Sequence, residues 1–221
     1  MPDRVLADVP GPHGGGDVLT AGAPRGAARA AVVALHGRGA TPQGIVNVLD
    51  PVASHGVAFV APGAHRSRWL PYAADEPIER NEPHRSSALA VVEATLAWTR
   101  ETLSLPPAAV LLVGFSQGGC VAAEYAATAG SRHPTAVLSG TLLGPTVDAA
   151  GYEGDLAETP VLVAGGADDD RVPPSRVRET AAALRTLGAD VTNRVYEGVG
   201  HEVTDDEFAW IRDRLAGATD G

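Results

Sequence analysis

Hydrophobic positions along this chain follow two patterns. Short, largely apolar runs occur at Ala31–Leu35, Val57–Val60, the stretch opening at Val110, Thr135–Leu138 and Val161–Val163, and Val191–Tyr196 reads as the last strand. Such runs suit strands of a parallel sheet, whose two faces are both covered. Between them, apolar residues recur every three or four positions, the period of a half-buried helix. Thr41 and Pro42 open one such helix, with Ile45, Val48 and Leu49 at helical spacing. Ser86 or Ser87 is the expected cap of a second, carrying Leu89, Val92, Leu96 and Leu103 and ended by Pro106-Pro107. An alanine-rich helix follows Ser116, another holds Val177, Ala181 and Leu184 and stops at Gly188, and the last presents Phe208, Ile211 and Leu215 behind a capping box, Thr204–Glu207. Asp17–Ala21 reads as an edge strand or hairpin arm. Strands alternating with helices predict an α/β fold: a mostly parallel sheet with helices on both faces.

Two stretches have no period. Ala64–Arg85 contains Trp69, Tyr72 and three prolines, and loops of that length in compact domains usually cover a site. Gly140–Gly154 is glycine-rich and is expected on the surface. No linker or repeat divides the 221 residues, so one domain over 1–221 is expected.

Composition narrows the chemistry. All 17 basic residues are arginine. Without lysine there is no Schiff-base amine and no phosphate-loop lysine, which removes pyridoxal enzymes and ordinary phosphate-loop NTPases. A net charge of −10 makes nucleic acid and anionic membranes poor partners. No apolar run approaches a membrane span, and the acidic, glycine-rich N-terminus is unlike a secretory signal, so a cytoplasmic location is expected. The single cysteine, Cys120, reads as a small buried apolar residue.

The chemical signal lies in Val110–Glu124, VLLVGFSQGGCVAAE. A strand, the pattern Gly-x-Ser-x-Gly at Gly114–Gly118 and a helix together describe a nucleophile elbow, which projects the hydroxyl of Ser116 from a sharp turn where larger side chains at the glycines would collide with the chain. A serine hydroxyl needs a base. Among seven histidines, His13, His55, His65, His84 and His133 lie in turns or loops where structural roles suffice, whereas His201 follows the last strand at its carboxyl end. The acceptor that would orient the imidazole should follow Val161–Val163, where Asp168, Asp169 and Asp170 all stand. A developing oxyanion needs preorganised N–H donors, expected from the backbone of Gln117 and of Arg38. The Arg38 side chain would brace its loop or attract an anionic group, and Trp69 and Tyr72 would either wall an acyl pocket or pin the loop. Glu79, Asn81 and Glu82 read as a solvated face.

LHGRGA at Leu35–Ala40, GFSQGG at Gly114–Gly119, the Gly-x-x-Asp-x-x-Val-Pro arrangement at Gly166–Pro173 and GHE at Gly200–Glu202 resemble the phospholipase/carboxylesterase family of α/β-hydrolases, with its small bacterial carboxylesterases and acyl-protein thioesterases. The resemblance implies an α/β-hydrolase fold without a large cap domain, a Ser116–His201–Asp169 triad, and hydrolysis of a small-molecule ester through an acyl-serine with no cofactor or metal. It assigns the acid to Asp169, three residues before Val172-Pro173. Arg38, where better-studied members tend to have an apolar residue, and Asp170, in place of a common proline, depart from the pattern and bear on acyl preference. Rival readings are a thioesterase or lysophospholipase with the same triad, and a non-catalytic binding module on this scaffold. A homodimer is permitted.

Overall fold

In the computed structural model, which describes residues 5–219, a seven-stranded sheet runs in the order β1-β3-β2-β4-β5-β6-β7. The strands are β1 (Val18–Gly22), β2 (Ala30–Leu35), β3 (Val57–Pro62), β4 (Val110–Phe115), β5 (Thr135–Leu138), β6 (Pro160–Gly166) and β7 (Asp190–Tyr196). β1 pairs antiparallel with β3, and every other pairing is parallel. The helices are α1 (Pro42–Val48), α2 (His84–Leu103), α3 (Gln117–Ala129), α4 (Pro174–Thr186) and α5 (Asp205–Thr219).

Successive residues of β2 face opposite sides, so a strand apolar throughout feeds two cores at once. Ala31, Val33 and Leu35 pack with α2 and α3 through Val92, Leu96 and Val121. Ala30, Val32 and Ala34 pack with Ile45 of α1 and Phe208 and Ile211 of α5. A third cluster joins β5 and β6 to α4 through Val137, Val163, Val177 and Leu184. Local signals set the helix ends as predicted: Thr41 accepts from the Gly44 amide, and Thr204 and Glu207 bond reciprocally.

Four expectations are corrected. α2 begins at His84 with Pro83 as its cap, because the Ser87 hydroxyl is spent on the N-terminal segment, accepting from the His13 amide and donating to the Pro10 carbonyl. Residues 140–143 are core rather than surface: Leu142 and Leu143 are buried, their amides held by Thr180 and by buried Glu124. The stretch between β3 and α2 contains two short 3₁₀ turns, His65–Ser67 and Ile78–Asn81. Asn81, expected in solvent, is buried with its Oδ1 on the Tyr72 amide.

Candidate active site

The carboxyl ends of β2, β4 and β6, with the turn after β7, converge on Ser116. Its backbone has φ 57° and ψ −122°, a left-handed conformation that a non-glycine residue holds only when its surroundings enforce it. The enforcement is steric. A Cβ on Gly114 would sit 2.1 Å from the Gly118 carbonyl oxygen, and one on Gly118 would sit 2.2 Å from that of Leu35. The elbow can therefore close only with glycine at both positions, pressing α3 onto β2.

His201 reaches the serine from the turn after β7. That turn is nested on the end of β6, where a Cβ on Gly166 would lie 2.0 Å from the Val199 carbonyl oxygen and the Asp168 amide bonds to the same oxygen at 2.9 Å. His201 Nε2 lies 2.8 Å from Ser116 Oγ, and Nδ1 lies 2.7 Å from Asp169 Oδ2. The other Asp169 oxygen accepts the amides of Arg171 and Val172. Asp168 and Asp170 are exposed and Asp169 is buried. Burial works to raise the Asp169 carboxyl, but the hydrogen bonds from His201 and the two amides outweigh it and hold the group below its ordinary value. An ionised Asp169 fixes Nδ1 as the protonated nitrogen, which leaves Nε2 free to accept from the serine.

Opposite His201, the loop after β2 lies against the elbow, and a Cβ on Gly37 would be 3.3 Å from Ser116 Cβ. The Gln117 amide belongs to the first turn of α3 and so has no intrahelical acceptor. The Arg38 amide lies one residue beyond Gly37. Their side chains point elsewhere, to the segment 69–72. Arg38 donates to the carbonyls of Leu70, Pro71 and Tyr72, which is the loop-bracing role. Burial, then the nearby Arg68, lowers its pKa from the ordinary guanidinium value. Gln117 accepts from the Trp69 amide and donates to the Leu70 carbonyl.

Of the two roles open to Trp69, the structure shows the second, pinning the loop. It is fully buried, its indole N–H donates to the His36 carbonyl at 2.8 Å, and its ring lies against His13 and His36. Both imidazoles are neutral braces. Burial lowers His13 to about 4, and its Nε2–H donates to the Trp69 carbonyl while Nδ1 accepts the His65 amide. His36 accepts the Ala64 amide on Nε2. Leu70, rather than Trp69, faces the cleft. With Tyr72, Ala74, Cys120 and Val172 it lines a cavity of about 190 Å³ on one side of Ser116. On the other side, Ile45, Val48 and Phe115 line one of about 180 Å³. Tyr72 and Val48 are the exposed large apolar side chains among the described residues, one in each cavity.

Among the described residues no group of acidic, histidine or cysteine side chains is arranged to hold a metal ion, and no helix is long and apolar enough to cross a membrane. The missed residues, Leu70, Asn81 and the Gln117 side chain, carry no residue-type signal for what they do here.

The chain is similar to several known proteins. A solved structure of a phospholipase/carboxylesterase from Dyadobacter fermentans superposes with a TM-score of 0.81 at 31% identity, covering 95% of this chain and all of that one. Carboxylesterase SOBER1 of Arabidopsis thaliana is 27% identical over 160 residues, 68% of this chain and 67% of that protein. Acyl-protein thioesterase 1 of Gibberella zeae is 32% identical over 116 residues, a match that spans about half of each chain (49%). The sequence model described as Phospholipase/Carboxylesterase matches residues 19–218, a span that takes in the elbow, the Asp169 loop and the His201 turn. With that match over nearly the whole length, the chain belongs to the phospholipase/carboxylesterase family of α/β-hydrolases.

Proposed function

We propose that this chain is a cofactor-free serine hydrolase of carboxylic esters, acting as one domain. The observation that carries the reading is the unbroken hydrogen-bonded line from Asp169 through His201 to Ser116, at 2.7 and 2.8 Å. His201 Nε2 takes the hydroxyl proton as Ser116 Oγ attacks the ester carbonyl. The resulting oxyanion is received by the amides of Gln117 and Arg38. Collapse of the tetrahedral species expels the alkoxide, which leaves as the alcohol with the proton from His201. Water, deprotonated by His201, then attacks the acyl-serine, and the acid is released with Ser116 reprotonated. Asp169 holds the imidazole in one tautomer throughout and stabilises the imidazolium.

Substrate size follows from the cavities. A dry cavity of about 150 Å³ holds a benzene-sized group, so the 190 and 180 Å³ spaces beside Ser116 fit acyl and alcohol groups of about that size. A palmitoyl chain is too large for a space of about 190 Å³. Spaces of that size favour short acyl groups over palmitoyl and lysophospholipid chains; they do not separate an ester from a thioester of the same acyl group, and a thioesterase is among the relatives. The complete relay argues against a binding module, which has no use for it. The buried lone Cys120 fits a cytoplasmic location, where thiols stay reduced.

The test is hydrolysis of p-nitrophenyl esters from acetate to palmitate, with a thioester of matched length, by wild type and Ser116→Ala. Turnover is expected to peak at short chains and to fall in the mutant by up to about 10⁶-fold. Activity confined to palmitate or to thioesters would replace this reading with the deacylation one. Equal, background rates in both proteins would end it.

A further inference from the structure

The two residues expected to supply the oxyanion donors grip one segment with their side chains. Arg38 Nη2 donates to Leu70 O at 2.9 Å, Tyr72 O at 3.1 Å and Pro71 O at 3.3 Å, and Nη1 reaches Pro71 O at 3.4 Å. Gln117 Oε1 accepts the Trp69 amide at 2.7 Å, and its Nε2 donates to Leu70 O at 2.9 Å. The Leu70 carbonyl is thus shared by both grips. From the far side, Asn81 holds the Tyr72 amide at 3.0 Å. Leu70 and Tyr72 are also walls of the cavity beside Ser116.

Local backbone preference does little to orient the Arg38 amide. Glycine flanks it on both sides, and Gly39 adopts φ +78°, so this tripeptide is conformationally permissive. Its restraint comes from tertiary contacts: the Gly39 amide on Ser67 O at 2.7 Å and the Arg38 fork across three successive carbonyls. A planar guanidinium can serve several acceptors from two nitrogens, whereas an ammonium is a compact point charge on a flexible stem. The partners here are carbonyl oxygens, so geometry rather than ion pairing is the selected property.

We propose that the Arg38 guanidinium is a positioning residue that locks the cleft wall 69–72 to the oxyanion loop, so that the backbone donor and the acyl-facing wall move as one unit. The inference rests on the serine-esterase reading. Loosening the lock displaces the Arg38 amide from the oxyanion while leaving the Ser116–His201–Asp169 line intact.

The experiment measures kcat and KM for p-nitrophenyl butyrate, labelling by a fluorophosphonate, and amide hydrogen exchange of residues 69–73 in wild type, Arg38→Met, Arg38→Lys and Arg38→Ala. A misplacement of about 1 Å at a reacting group costs up to about 10²-fold, so kcat is expected to fall about 10- to 100-fold in Met and Lys variants with KM within about threefold. Exchange at 69–73 should rise in all three variants, and methylguanidinium should restore turnover to Arg38→Ala. Full activity in Arg38→Lys would mean that charge alone suffices and would overturn the lock. So would unchanged kcat in Arg38→Met, or a kcat loss without faster exchange, which would point to direct contact with substrate. Failure of the underlying reading looks different: the wild type itself would be inert and unlabelled.

Discussion

The two flanks of Ser116 are built from different materials. On the His201 flank, a carboxylate, an imidazole and a hydroxyl form a hydrogen-bonded line, each with one task in the proposed reaction. On the Arg38 flank, side-chain donors and acceptors meet main-chain groups: three carbonyls on Arg38, the Trp69 amide and Leu70 carbonyl on Gln117, and the His36 carbonyl on the Trp69 indole. In the proposed reaction the first flank is an electrostatic device, which replacing one atom type is expected to disable. The second is a mechanical one, in which several neutral or charge-assisted bonds of about 1 kcal/mol each share the load. Chemistry and shape at this site thus fail differently when perturbed.

The largest separation between the flanks is expected from Asp169→Asn. An amide can still accept the Arg171 and Val172 amides, so the loop survives, but the imidazole loses its anionic partner and the preference for the Nδ1–H tautomer. Turnover should fall about 10⁴-fold with Tm changed little and the chain-length profile preserved. A profile that shifts along with the rate would show that the two flanks are not separable.

Stability against pH should distinguish them next. On the wall flank, burial depresses His13 to about 4. The folded state then binds fewer protons than the unfolded one between that value and the ordinary 6.5, so this stability is present above pH 6.5 and lost as pH falls through 4. Beside the His201 turn the sign reverses. Glu207, whose Oε2 caps Thr204 while Oε1 is buried without a partner, is raised by burial to about 7. Its contribution is present below the ordinary 4.5 and lost as pH rises through 7. Each slope amounts to up to about 3 kcal/mol. Thermal melts of wild type, His13→Asn and Glu207→Gln from pH 4 to 8 should show the acid-side slope reduced in the first variant and the neutral-side slope in the second. Parallel curves for all three would remove both assignments.

The smallest expected effect is that of Trp69→Phe. It keeps the ring beside His13 and His36 but removes the donor to the His36 carbonyl, which costs about 1–3 kcal/mol for a buried acceptor left unpaired. Denaturant titration should register that loss, while kcat changes less than tenfold, because Arg38 and Gln117 still hold the segment. A loss of activity as large as that of Asp169→Asn would make Trp69 part of the chemistry rather than of the brace.

Much of this molecule was legible before folding because local geometry and chemistry restrict residue type. Closing the elbow admits only glycine at Gly114 and Gly118, where any Cβ would lie within 2.2 Å of a carbonyl oxygen. A hydroxyl nucleophile calls for an imidazole, and Thr204 with Glu207 announces a helix start within four residues. Runs apolar on both faces marked the inner parallel strands, and together these signals outlined the sheet, the helices and the family motifs.

Tertiary structure decided what several residue types could satisfy equally. Three adjacent aspartates could orient an imidazole as far as their chemistry goes, and the nesting of the His201 turn on Gly166 sets Asp169, not Asp168 or Asp170, against Nδ1. Ser87 has the hydroxyl of a helix cap, yet it tethers the N-terminal segment. Asn81 looks like a solvated residue and is buried against the wall. The lock around residues 69–72 was the least legible feature, since its partners are backbone amides and carbonyls. Nearly every residue carries both, so their use leaves no mark in the sequence and emerges only when the folded chain brings a guanidinium and an amide against them.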